Sequence, residues 1–176
     1  LGVIFEKIVI TDFKRGVTPR DEYERKSRFA RFDAYRKILT KYNCSGILVG
    51  HHRGDIQENV ISNMMRGMTL LNLPGMYEVS RIDDVDIMRP LLNDNKSLIF
   101  DFAHKYGIPY FKDTTPQWST RGKLRNKLIP LLKEMYGDGV LEKLSFLAEE
   151  SQDIKRITDK TINPIMESLK LDNSLV

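Results

Sequence analysis

The sequence is poor in cysteine and has no long apolar run, and these absences exclude several classes of protein. Cys44 is its one cysteine among 176 residues, so no disulfide can form within the chain, which suits a reducing compartment. We expect this thiol to be buried or half-buried, because it directly precedes an apolar strand. The longest apolar runs, such as residues 3–5 and 8–10, are far too short to span a membrane. No signal peptide is visible, so we expect a cytoplasmic protein. Because the first residue is Leu1 rather than Met, an upstream segment and a location in an organelle stay open as alternatives.

Charge is modest in sum and uneven along the chain. Hydrophobic residues make up 41% and charged residues 30%, which predicts a folded domain rather than a disordered one. The net charge is +4, but residues 14–37 hold nine basic and four acidic side chains, and residues 116–130 hold four basic and none acidic. This distribution indicates a face that binds a polyanion, with solvated helix faces as the alternative.

Strand-like and helix-like segments alternate over the first two-thirds of the chain. The predicted strands cover residues 3–12, 45–50 and 86–92, and the predicted helices cover residues 21–42, a segment after Gly54, and residues 95–106. Residues 67–82 read as irregular. Helices alone follow, with one at residues 119–136 bent near Pro130 and a long one after residue 139. The pattern predicts an α/β core in residues 1–112 and a helical extension in residues 113–176.

Two histidines and two carboxylates mark the junction between the second strand and its helix. Gly50 ends the apolar run, and His51, His52, Asp55 and Glu58 follow it. Ligands of open parallel sheets bind at the carboxyl ends of strands, so this is the predicted site of chemistry. A catalytic cluster, a transition-metal site for Zn²⁺ or Mn²⁺, and a helix cap all fit this spacing.

A basic, amphipathic segment lies near residue 120. Four cations alternate there with apolar residues, and this arrangement suits phosphate contacts from a packed helix. They are Arg121, Lys123, Arg125 and Lys127.

Several short motifs follow one another along the chain. The first is E-x-x-S-R-x-x-R-F, which begins at Glu24 and includes Arg28 and Arg31. The second is the G-H-H-x-x-D-x-x-E of residues 50–58. The remaining ones are R-G at residues 66–67, L-P-G-M at 73–76, R-P-L-L at 89–92, the extended stretch 110–113, and R-G-K-L-R at 121–125. In this order they cover residues 24–132 and resemble one family, the tRNA(Ile)-lysidine synthases of the PP-loop, or N-type ATP pyrophosphatase, group.

The resemblance implies a fold and a reaction. The fold would be a parallel-sheet, adenine nucleotide alpha hydrolase-like (Rossmann-like) core that is N-terminally incomplete, followed by the helical extension. Such enzymes use ATP to adenylate a cytidine at the tRNA wobble position and join lysine to it. The implied cofactors are ATP and Mg²⁺, and the implied partners are tRNA and lysine, with no membrane; a homodimer is left open.

The resemblance also implies roles for individual residues. Those implied for catalysis are His51, Asp55, Glu58 and Arg28, with Asp55 and Glu58 also binding Mg²⁺ or the lysine amine. Those implied for nucleotide binding are Gly50, His51, His52, Arg28 and Arg31. Those implied for tRNA binding are Arg121, Lys123, Arg125 and Lys127.

The sequence also departs from the family pattern. The glycine-rich S-G-G-x-D-S loop, which cradles pyrophosphate, is not among these 176 residues. Gly54 and Gly122 stand where the family has Asp and Asn, and the loop around Pro116 and Trp118 also differs. A PP-loop tRNA thiolase, a non-catalytic RNA-binding module and a metal hydrolase are therefore the alternatives.

Overall fold

The computed structural model describes residues 2–14, 16–111, 113 and 115–173, with the backbone alone for residues 170–173. Its helices are α1 (Arg20–Tyr42), α2 (Arg53–Met65), α3 (Lys96–Lys105), α4 (Thr120–Lys123), α5 (Ile129–Tyr136), α6 (Val140–Ile157) and α7 (Asn163–Asn173). Its strands are β1 (Ile47–Leu48), β2 (Val79–Ile82) and β3 (Val85–Met88). A 3₁₀ turn forms at Leu70–Asn72, and π-helical turns form at Leu124–Leu128 and Thr158–Ile162. No helix in the described ranges is long and apolar enough to cross a membrane.

Contacts between backbone segments divide the chain into two compact units. The first comprises Leu1–Val49 with Glu78–Arg89, and the second comprises Gly50–Tyr77 with Pro90–Val176. Each has its own apolar core. The core of the first unit consists of Phe32, Val85 and Ile87, and that of the second consists of Ile56, Val60, Leu73, Met76, Leu92 and Ala148. The boundary expected between residues 112 and 113 stays a prediction.

Helix α1 confirms the helix predicted at residues 21–42. Asp21 and Glu22 lie in its first turn, where carboxylates interact favourably with the helix dipole. Asn43 ends it in the left-handed conformation at φ 51°, which asparagine tolerates better than most residues. The helix buries Phe32 and Ala34.

The first unit contains a small mixed sheet with the order β1-β3-β2. β1 and β3 are parallel, with Ile47 opposite Ile87, as an α/β fold requires. β2 and β3 form an antiparallel hairpin around Asp83 and Asp84, both at positive φ, as in a two-residue turn that matches strand twist. The prediction of irregular structure up to residue 82 was wrong at β2. Exposed and half-buried residues alternate along β2, but four residues are too few for the sequence pattern to be distinguished from a loop.

Two expectations for the first unit are corrected. Residues 3–12 form no strand in the part of the chain that is described, and the side chains of Val3 and Phe5 are more than four-fifths exposed. A β-branched segment becomes a strand only where a neighbour completes its hydrogen bonds, and none of the described strands pairs with this one. Cys44 is exposed; it lies in the connection between Asn43, which ends α1, and β1, which begins only at Ile47.

The second unit is built around α2 and α6. Gln57 on α2 donates to the Leu141 carbonyl at 3.1 Å and to the Ser145 hydroxyl at 3.0 Å, so a buried amide joins the two helices. The predicted irregularity near Pro130 is a π-helical turn that precedes the proline. Pro130 has no N–H to donate to the preceding helical turn, and the wider π-helical turn ends just before it, while the backbone stays helical from Thr120 to Tyr136.

Candidate functional site: a buried carboxylate pair held by two arginines

The junction before α2 combines an open glycine with a histidine cap. Gly50 is exposed, and a Cβ there would meet no described heavy atom within 4 Å. His52 is the N-cap residue. Its Nδ1 accepts a hydrogen bond from the Gly54 N–H at 3.0 Å, and its own N–H donates to Asp55 Oδ2 at 3.0 Å. Both bonds satisfy amides that have no partner within the helix.

This cap fixes the protonation of His52. Burial lowers the pKa of the imidazole below its ordinary 6.5, and the nearby Asp55 carboxylate opposes that shift only in part. A neutral ring is also what the cap requires, because Nδ1 must be unprotonated to accept from Gly54. His51 is half-buried beside it. The structural alternative for this motif, a cap formed by Asp55 with Glu58, is therefore wrong in position: the helix begins one turn earlier, and the cap consists of His52 with Asp55.

The position of the His52 ring also accounts for a departure from the family pattern. A Cβ on Gly54 would lie 2.8 Å from Cε1 and 3.0 Å from Nδ1 of the imidazole. Any side chain at residue 54 would push the ring from its capping position. Glycine at residue 54, where the family has Asp, therefore leaves the room that the His52 ring needs to cap the helix.

Asp55 and Glu58 lie one turn apart on α2, and both are almost fully buried, with 6% and 4% of their surface exposed. Two guanidiniums from the segment around residue 123 hold them. Arg121 Nε lies 2.9 Å from Glu58 Oε2, and Arg125 Nη2 lies 3.3 Å from both Glu58 Oε2 and Asp55 Oδ1. Arg125 Nε also donates to Glu58 Oε1. We call these four side chains the arginine–carboxylate cluster.

Arg125 is further anchored by the loop before α4. Its Nη1 donates to Asp113 Oδ2 at 2.8 Å. Hydrogen bonds from Thr115, and secondarily from Arg125, lower the pKa of Asp113 to about 2. Burial opposes the charge on Arg125, but its bonds to Glu58 and Asp113 outweigh burial and raise its pKa. Asp113 and Thr115 were not among the predicted site residues. The one sequence signal for Asp113 is that it ends one of the motifs shared with the family.

Two further departures from the family pattern are linked by one contact. A Cβ on Gly122 would lie 2.1 Å from the Pro116 carbonyl oxygen and 2.9 Å from Gln117 Cα. Ser119 Oγ donates to that same carbonyl at 2.7 Å and accepts from the Gly122 N–H at 3.0 Å. The altered loop therefore packs directly on the helix, and only glycine leaves room for it.

The other two predicted tRNA-binding cations are placed differently. Lys123 and Lys127 are exposed and line a shallow hollow of about 340 Å³ with Leu124 and Leu128. Within the described residues, neither lysine has an acidic partner within 4.0 Å. Of the four cations, two are thus bound to carboxylates and two are free for an external anion.

The two arginines predicted on α1 belong to the first unit. Arg28 contacts the hairpin turn through Asp83 Oδ2 at 3.2 Å and lies over the Phe32 ring. Arg31 is exposed. Glu24, the first residue of the same motif, pairs with Arg20 at 2.9 Å. The assignment of Arg28 and Arg31 to a nucleotide stays a prediction.

The carboxylates as arranged do not fit Mg²⁺. Oδ2 of Asp55 accepts from His52, and the other three oxygens of Asp55 and Glu58 contact Arg121 or Arg125. A magnesium site needs carboxylate oxygens free to coordinate the ion. Among the described residues, no three His, Cys, Asp or Glu side chains are placed to share a metal ion. A cation could bind here only if a guanidinium left.

Comparison with known proteins agrees with the motifs. The family model of the PP-loop domain matches residues 6–132. The tRNA(Ile)-lysidine synthase of Chlamydia caviae is 28% identical over 159 residues, which are 89% of this chain and 50% of that protein. The synthase of Chlamydia pneumoniae is 30% identical over 170 residues, which are 95% of this chain and 52% of that protein. The chain spans about half the length of the curated relatives it matches, and it belongs to the PP-loop domain family.

Proposed function

We propose that the protein containing this chain is an ATP-dependent tRNA-modifying ligase that joins lysine to the wobble cytidine of a tRNA. The observation that carries the proposal is the buried carboxylate pair at the G-H-H junction, within a chain that resembles tRNA(Ile)-lysidine synthases over most of its length. The motifs supporting it lie in both packing units. ATP and Mg²⁺ are the cofactors this assignment leads us to expect, and the cytoplasm is the expected compartment.

The reaction has two steps with different demands. The C2 carbonyl oxygen of the cytidine attacks the α-phosphorus of ATP, and pyrophosphate leaves. The lysine ε-amine then attacks C2, and AMP leaves with the oxygen. This activation is needed because the carbonyl oxygen alone is a poor leaving group, whereas AMP leaves with that oxygen and carries the negative charge on its phosphate. The attacking amine must lose a proton, so a base must lie within hydrogen-bond reach of it.

The residues of the junction supply groups suited to these demands. Asp55 and Glu58 can bind the lysine ammonium and accept its proton, while His51, next to the open backbone of Gly50, can donate to a nucleotide phosphate. Lys123 and Lys127 are exposed cations for the tRNA backbone. The thiolase alternative relies on paired cysteines in related enzymes, and this chain offers Cys44 alone.

The test is the nucleoside content of tRNA from cells that lack the protein. We expect lysidine to disappear and to return when the intact protein is supplied. The variant Asp55→Asn keeps an oxygen for the His52 N–H and removes the charge, so lysidine formation should fall about 10²- to 10⁴-fold, the usual contribution of a general base. Asp138→Asn, at an exposed acid, is the matched control and should retain full activity. Loss of a thio-nucleoside in place of lysidine would identify a thiolase.

A further inference from the structure

The arginine–carboxylate cluster brings together groups with two different predicted ligands. Asp55 and Glu58 are expected to receive a cation, either the lysine ammonium or Mg²⁺, whereas Arg121 and Arg125 are expected to receive RNA phosphate. In the structure these groups bind each other, at 2.9 Å for Arg121 with Glu58 and 3.3 Å for Arg125 with Asp55. Neither ligand can reach its predicted partners while these contacts persist.

Burial explains why the contacts form. The side chains of Asp55 and Glu58 are 8% and 5% exposed, and buried carboxylates are unfavourable without a compensating charge. The two guanidiniums provide that charge in the absence of a ligand. A cation of similar hydrogen-bonding capacity could replace them, but it would leave the guanidiniums without an anion. RNA phosphate is an anion that guanidinium binds well, often through two parallel hydrogen bonds.

The arginines are placed so that they can exchange partners. Their side chains are more exposed than the carboxylates, 44% for Arg121 and 23% for Arg125, so they are accessible to an approaching phosphate. Lys123 and Lys127 lie on the same helical segment and are exposed, so they can make the first contact with the RNA backbone. Asp113 remains as a surface partner for Arg125 if it leaves Glu58.

We propose that Arg121 and Arg125 close the Asp55–Glu58 cation site until RNA phosphate withdraws them, so that RNA and the cationic substrate bind cooperatively. The identities of the RNA and the cation rest on the proposed function. The coupling is reciprocal by thermodynamic linkage: RNA strengthens cation binding by the same factor as the cation strengthens RNA binding. Such a contact would keep lysine from being held in the site before tRNA is present.

The coupling is measured by equilibrium dialysis of labelled lysine against the intact protein, with and without a saturating tRNA(Ile) transcript. We expect tRNA to increase lysine affinity by about 5- to 150-fold, the usual range of coupling between sites. The double variant Arg121→Gln/Arg125→Gln should bind lysine without tRNA as tightly as the wild type does with it, and tRNA should then change its affinity less than twofold. If this variant instead binds Mg²⁺, measured calorimetrically without RNA, and does not bind lysine, the assignment of lysine as the cation of this site is overturned.

The matched control is Lys123→Gln/Lys127→Gln, which also removes two cations from the same segment. It should weaken tRNA binding, yet at saturating tRNA the full increase in lysine affinity should remain. If circular dichroism shows that the arginine double variant does not fold, the single variant Arg121→Gln takes its place. It should fold, because Arg125 still holds Glu58. It should reduce the coupling at least twofold.

Two outcomes overturn the coupling. One is a lysine affinity that tRNA does not change in the wild type, and the other is an equal loss of coupling in the lysine and arginine variants. If lysidine forms in cells but tRNA does not change the lysine affinity of the protein, this inference alone is refuted. No lysidine and no lysine binding in any state would refute the proposed function.

Discussion

Replacing Arg125 with alanine tests whether the arginine–carboxylate cluster stabilises the fold. The substitution removes the guanidinium that contacts Glu58, Asp55 and Asp113 and leaves two carboxylates in a site almost without solvent. Breaking a buried ion pair from one side typically costs about 3–5 kcal/mol. Arg121 still contacts Glu58 in the variant, and the Arg125 side chain is 23% exposed, so water can enter. We therefore expect a loss near the lower limit, about 2–3 kcal/mol.

The assay is urea unfolding followed by circular dichroism, with free energies compared only where the slopes agree. Arg156→Ala is the matched control, because Arg156 pairs with Asp153 at the surface, with side chains 65% and 66% exposed. Exposed pairs contribute about 0–1 kcal/mol, so this variant should unfold almost as the wild type does.

A double-mutant cycle isolates the contact itself. Arg125→Ala combined with Glu58→Gln removes the uncompensated charge, so the double variant should be more stable than the sum of the single losses predicts, by about 0.5–3 kcal/mol. If Arg125→Ala costs no more than Arg156→Ala, the cluster does not hold the buried carboxylates, and the reasoning on their exchange with a ligand fails with it.

Further predictions concern the cap and the loop. Gly122→Ala places a Cβ 2.1 Å from the Pro116 carbonyl oxygen. The overpacking, about 1–3 kcal/mol, should exceed the gain of about 1 kcal/mol in helix propensity, so the free energy of unfolding in urea should fall. The control Gly139→Ala, whose Cβ meets no atom within 4 Å, should change that free energy by less than about 0.5 kcal/mol. Because the pKa of His52 is lowered, the folded state binds fewer protons there than the unfolded state, so its contribution to stability is present above pH 6.5 and is lost as pH falls below it. His52→Asn keeps a capping side chain and should flatten thermal stability against pH in that range. The low pKa of Asp113 predicts a separate loss of stability as pH falls from 3.8 towards about 2, which Asp113→Asn should remove from the same melting profile.

Local signals predicted the helices well. α1 matches the predicted range of residues 21–42 to within one residue, and α3 begins after Asn95 and ends before Gly107, which has φ 63°. These features depend on residues within a few positions of each other, so the sequence carries them directly. The family and its α/β core followed from motifs in order, and the match over residues 6–132 confirms them.

The pairing of strands that are distant in the chain was harder to predict from the sequence. The strand expected at residues 3–12 and the one overlooked at β2 both depend on which neighbour supplies hydrogen bonds, and composition does not encode that. Cys44 was expected to be at least partly buried because apolar residues follow it, but the exposure of a side chain is set by what packs over it.

The sequence by itself determined that a glycine, two histidines and two carboxylates lie at the junction between a strand and the following helix. It also determined that basic residues cluster near residue 120. Only the tertiary structure decided that two of those basic residues neutralise the carboxylates, because Glu58 and Arg125 are separated by 67 positions and meet through the folding of the second unit. Burial is the physical reason. Once packing takes Asp55 and Glu58 out of water, a cation must accompany them, and the fold places guanidiniums close enough to do so.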